Sequence, residues 1–108
     1  MPTPALLLVT TTAPDRATAD RLARVLVERR LAACVQVAGP LHSTYRWQGV
    51  IESAEEWQVT AKTLPACFAA LSAALHELHP YETPELIATP VTEVSAAYAA
   101  WVAEECAE

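Results

Sequence analysis

The feature that most limits how this chain can fold is a pair of long apolar arms meeting at Gln48-Gly49. Gly49 tolerates the positive φ of a tight hairpin turn, so Leu41–Trp47 and Val50–Thr63 read as antiparallel strands joined there. The first arm continues an earlier run, Leu31–Val37, and Gly39-Pro40 between the two marks a kink or bulge. By the period of two, Tyr45 and Trp47 share a face, as do Trp57, Val59 and Ala61 on the returning strand. Both arms exceed the usual strand of about five or six residues. Two helices on a four-stranded sheet leave the far part of such arms bare. Their aromatics then form an apolar patch, a mark of self-association.

The flanking segments supply the rest of the sheet. Ala5–Thr12 is apolar and β-branched, as expected of a central strand buried on both faces. Asp15 is placed to cap a helix reaching about Arg30, whose inward stripe is Ala19, Leu22, Ala23 and Leu26. Beyond the hairpin, Thr63 is an N-cap candidate and Pro65 suits a first helical turn. The stripe Phe68, Leu71, Leu75 and Leu78 follows. Glu85–Val91 reads as a fourth strand, kept to an edge by Pro90. Ser95 can cap a last helix with Tyr98, Trp101 and Val102 inward, ahead of an acidic tail in which Cys106 is exposed. The order defines an α+β, ferredoxin-like βαββαβ fold over residues 1–108, one domain, with a long β2-β3 hairpin and an extra C-terminal helix. One sheet face lacks crossover helices, and association is expected to cover it.

Composition then removes several functions. A net charge of -6 leaves no basic face for nucleic acid. Two glycines in the whole chain cannot build a phosphate cradle. No apolar run of about 18 residues or secretory leader stands out, so neither membrane spanning nor export is expected, and a cytoplasmic location is. Three cysteines without CxxC spacing read as reduced thiols. Cys34 is expected to be buried and inert, and Cys67, near a helix N-terminus, is the better candidate for reactivity. No base, nucleophile and oxyanion donor assemble from local motifs, so no enzyme is expected.

The segment His79-Pro80-Tyr81-Glu82-Thr83-Pro84-Glu85 holds most of the polar chemistry. Its prolines stop the preceding helix and keep the chain extended. His76 and His79, three apart, can share a copper ion or another divalent cation if the last turn stays helical, with Glu77 or Glu82 as oxygen donors. Lys62 with Tyr81, Glu82 and Glu85, and Trp47 from the hairpin, can line a cleft between subunits that holds a small polar or anionic ligand.

Leu31-Ala-Ala-Cys-Val, Ser43-Thr-Tyr-Arg-Trp-Gln-Gly, Lys62-Thr63 and His79-Pro-Tyr-Glu-Thr-Pro-Glu, in this order and spacing, resemble the CutA family of divalent-cation tolerance proteins. Ala13-Pro14-Asp15 and the pair Tyr98 and Trp101 match as well, so the resemblance spans nearly the whole chain. It implies a homotrimer whose hairpins extend neighbouring sheets, PII-like in architecture, and a role in tolerance to copper and other divalent cations. A PII-like sensor of small ligands that signals to a protein partner is the alternative. Where copper ligands are assigned, the family has Cys at the position of Thr11 and His at that of Leu78, with the His matched by His79. This chain keeps His79 of the three, which leaves a weaker site involving His76.

Overall fold

The computed structural model describes residues 3–106. Its elements are β1 (Leu7–Ala13), α1 (Arg16–Glu28), β2 (Cys34–Trp47), β3 (Val50–Thr63), α2 (Phe68–Leu78), β4 (Ile87–Pro90) and α3 (Ala96–Glu105). The sheet is antiparallel in the order β2-β3-β1-β4, the split βαβ arrangement expected from the element order. No helix among the described residues is long and apolar enough to cross a membrane.

Both crossover helices lie on one face. Leu26 of α1 and Leu71 and Ala74 of α2 pack with Val9 and Ala61 from the sheet, and Leu22 packs with Ala13 and Val59. Asp15 caps α1 as expected, its carboxylate accepting from the Thr18 N–H at 2.7 Å. Thr63 does not cap α2. It ends β3 and donates to the Leu31 carbonyl at 2.6 Å, while a 3-10 turn at Pro65–Cys67 leads into the helix. Strand β1 is buried toward the helices at Val9, Thr11 and Ala13, while on its other face Leu8 and Thr10 are half-buried and Thr12 is buried.

The last helix corrects two expectations. Ser95 caps α3, but its inward residues are Ala99 and Val102, which pack with Leu6 and Cys67 at the end of the sheet. Tyr98 and Trp101 turn outward, 36% and 42% exposed, with their rings 5.6 Å apart. The small Ala99 lets the helix approach closely, and the bulky rings are left on the other side. Cys106 is buried, not exposed, with its Sγ 3.8 Å from the Thr63 hydroxyl, and burial pushes its thiol up from the ordinary value. Cys34 is half-buried on the face away from the helices, and Cys67 is buried.

The hairpin is as long as the arms implied. Strands β2 and β3 each run 14 residues, joined through Gln48 and Gly49 with φ of 50° and 82°. Strand β1 pairs with β3 only as far as Trp57, so the hairpin beyond that residue has no third strand. The bulge falls at Gly39-Pro40, where two residues of β2 stand opposite one of β3. That extra residue reverses the alternation of β2. Val35 and Val37 face the helices, whereas Tyr45 and Trp47, also odd-numbered, lie on the opposite face with Glu52 and Glu56.

Candidate ligand groove

Pro80 ends α2 and holds His79 extended, at φ −78° and ψ 135°, with the His79 N–H on the Leu75 carbonyl. The His79 side chain is 7% exposed and points into the sheet. Its Nε2 donates to the Thr12 carbonyl at 2.7 Å, and its Nδ1 accepts the Tyr81 N–H at 3.1 Å. These partners assign the Nε2–H tautomer. The Tyr81 ring lies 4.8 Å from the His79 ring and sends its hydroxyl to Glu56 Oε2 at 2.8 Å. Burial and the Glu56 carboxylate together hold the Tyr81 phenol well above its ordinary 10.0.

Glu56 is itself only 8% exposed, just past the point where β1 stops pairing with β3. It sits in a groove of about 910 Å³ between the free half of the hairpin and the segment 80–85. The hairpin contributes Tyr45, Trp47 and Glu52 besides Glu56, and the segment contributes Tyr81, Glu82 and Glu85. Trp47, Tyr81, Glu82 and Glu85, expected to share a cleft, do line one groove within a single chain. Lys62 lies elsewhere. It is six residues down β3 from Glu56, with its ammonium on the Gln36 side-chain carbonyl of β2. Without Lys62, no lysine or arginine lines the groove among the described residues. Its walls are acidic and aromatic, and burial followed by the Glu56 charge raises the Glu85 carboxyl above its ordinary 4.5.

The two imidazoles expected to share an ion have different partners. His79 spends both ring nitrogens on the main chain, and His76 is exposed with its Nδ1 on the Ser72 carbonyl at 2.8 Å. Thr11 is 2% exposed, and Leu78 packs against the cluster of Leu22 and Val59. The residues at the copper positions implied by resemblance therefore do not form a copper set in this chain. Among the described residues, no three His, Cys, Asp or Glu side chains converge on one ion.

Sequence reading missed Glu56, Glu52, Tyr45 and Thr12 as groove residues. The signal for the hairpin members was available: a one-residue bulge at Gly39-Pro40 reverses the face of every later β2 position and so brings Tyr45 beside Glu52. For Thr12, whose backbone carbonyl is the functional atom, side-chain chemistry carries no signal.

Sheet order, hairpin length and groove define the class: a split βαβ protein whose second and third strands outgrow the sheet. Comparison with known proteins narrows it. The CutA1 divalent ion tolerance protein family matches residues 7–105. A divalent-cation tolerance protein CutA from Pectobacterium atrosepticum is 41% identical over 96 residues, covering 89% of this chain and 87% of the relative. The solved CutA1 from Oryza sativa superposes with a TM-score of 0.95 at 29% identity, over 98% and 97% of the two chains. That from Thermus thermophilus gives 0.93 at 37% identity, over 94% and 99%. This chain belongs to the CutA1 family.

Proposed function

We propose that this chain serves divalent-cation tolerance as a homotrimer, acting by binding and not by catalysis. Family membership and the names of its relatives support the first part. The observation that carries the second is the bare hairpin. Tyr45 and Trp47 are each 42% exposed, and Val50 and Ile51 reach 57% and 65%, beyond the end of β1. Copies related by a closed symmetry cover such a patch, each hairpin lying along a neighbour's sheet in a PII-like ring. In this reading residues 1–108 act as one cytoplasmic domain with reduced thiols, and Cu²⁺ or a similar ion binds weakly. Of His76 and His79, His76 is the accessible imidazole for that ion, with His79 holding the groove's edge in place.

Light scattering after gel filtration tests the assembly: three chains of 11.7 kDa are expected, and a monomer at micromolar concentration overturns it. Titration with Cu²⁺ tests the ion site. Uptake should persist in His79→Ala and fall in His76→Ala, and equal uptake by all three proteins rejects His76. The groove favours a second reading, a small-ligand sensor that reports to a protein partner, because it gathers Trp47, Tyr81, Glu82 and Glu85 around one space. Saturable shifts of the Trp47 indole signal on ligand titration, absent in Trp47→Phe, are its test.

A further inference from the structure

We propose that Cys67 and Cys106 act as a redox latch: oxidised by a peroxide, they join in a disulfide that fastens α3 to the start of α2. Both side chains are buried, 6% and 5% exposed, in one cluster with Leu6, Ala99 and Val102. Cys67 stands at the N-cap of α2, after the 3-10 turn, and Cys106 at the C-cap of α3. The Thr63 hydroxyl, 3.8 Å from the Cys106 sulfur, already gives its proton to the Leu31 carbonyl, so Cys106 is the donor between them. Burial chiefly, with the Cys67 thiol adding to it, raises the Cys106 thiol above its ordinary 9.0, a mark of how near the two sulfurs lie. The third cysteine, Cys34, is on the sheet face turned away from the helices and takes no part in the cluster.

Hydrogen peroxide as the oxidant balances the reaction. The Cys67 sulfur, its proton leaving, attacks a peroxide oxygen; the O–O bond breaks, water departs and a sulfenic acid remains. The Cys106 sulfur then attacks that sulfur, the S–O bond breaks, and the S–S bond forms as the second water leaves with the Cys106 proton. Two thiols and one peroxide give one disulfide and two waters, each sulfur giving up one electron. Burial does not bar this oxidant, which is small and uncharged, and Cys106 follows the last turn of α3, where a helix frays first. Apart from that cluster, α3 is tied down by the Arg30 guanidinium on the Glu104 carbonyl at 2.8 Å, so a covalent tie adds to a light attachment. The closed loop takes in α2, β4 and α3, and a cross-link over such a length restrains the unfolded chain far more than the folded one. The latch also fixes the exposed pair Tyr98 and Trp101, carried on the same helix.

The test treats the full, folded chain with a small molar excess of hydrogen peroxide, alkylates the remaining thiols and maps the peptides by mass spectrometry. A peptide pair joining Cys67 to Cys106 is expected, with Cys34 alkylated. The denaturation midpoint of the oxidised protein should lie above that of the reduced protein and return with dithiothreitol. Cys34→Ser should close the same link, and Cys106→Ala should form no disulfide within the chain. If Cys106→Ala fails to fold, the cross-linked peptides of the parent chain decide alone. Both thiols still open to alkylation, oxygen added to sulfur without a link, or a link that includes Cys34 overturns the inference. So does a link that forms only after unfolding, or a joined pair that leaves the midpoint where it was.

Discussion

At Tyr81 a single hydroxyl joins the proline-flanked segment to the hairpin, 25 positions away in sequence. Tyr81→Phe keeps the ring tilted against His79 and strips Glu56 of its donor, so a loss of about 1–2 kcal/mol is expected in chemical denaturation. Glu85 adds a pH dependence whose sign is fixed by the direction of its shift. Its folded-state value is raised, so its contribution to stability is complete below 4.5 and is lost as pH rises through the raised value. Glu85→Gln should remove that part of the slope and should not destabilise the protein at neutral pH. Asp15 runs the other way: its cap to Thr18 lowers its value, so its contribution is present above 3.8 and fades as pH falls further. His79 shows how far single residues were legible. The sequence marked it as chemically prominent, but its partner, the Thr12 carbonyl, carries no side-chain signature, and only the folded chain shows a buried hydrogen-bonded ring in place of an open ligand.

Among the elements, the strands were the more readable. Alternation, β-branching and Gln48-Gly49 located the hairpin because β2 pairs with β3, the strand that follows it in sequence. Helix α3 was located by Ser95, but the direction of its faces was misread. An alanine stripe and an aromatic stripe lie on the same short helix, and tertiary packing chose the one that approaches closer. Ser95→Ala should cost about 1 kcal/mol by loss of the Tyr98 N–H acceptor, read as an earlier melting of α3. The bulge is less forgiving. A Cβ on Gly39 would come 2.8 Å from the Trp57 ring, so Gly39→Ala must displace a half-buried indole and should lower stability by about 1–3 kcal/mol. A denaturation midpoint within error of the parent would show that the ring moves freely.

As a whole, the molecule extends 51 Å in one direction and 25 by 22 Å in the others, with a radius of gyration of 14.6 Å against about 13 Å for a compact chain of this length. The excess is the hairpin, and with it go the exposed Val50 and Ile51. Ile51→Glu should leave the far-ultraviolet spectrum unchanged and reduce the light-scattering mass to that of one chain, since a charge buried in a shared apolar surface lacks a partner. An unaltered mass would place the association elsewhere. This scale was only partly legible, because strand length shows that a surface is left over and does not say what covers it. The His79 bond to Thr12 spans 67 positions and ties the rim of the groove to the second-to-last residue of the strand that pairs with both β3 and β4. Through the His79 ring, the Tyr81 backbone is thereby linked to the middle of the sheet by a route that bypasses both crossover helices.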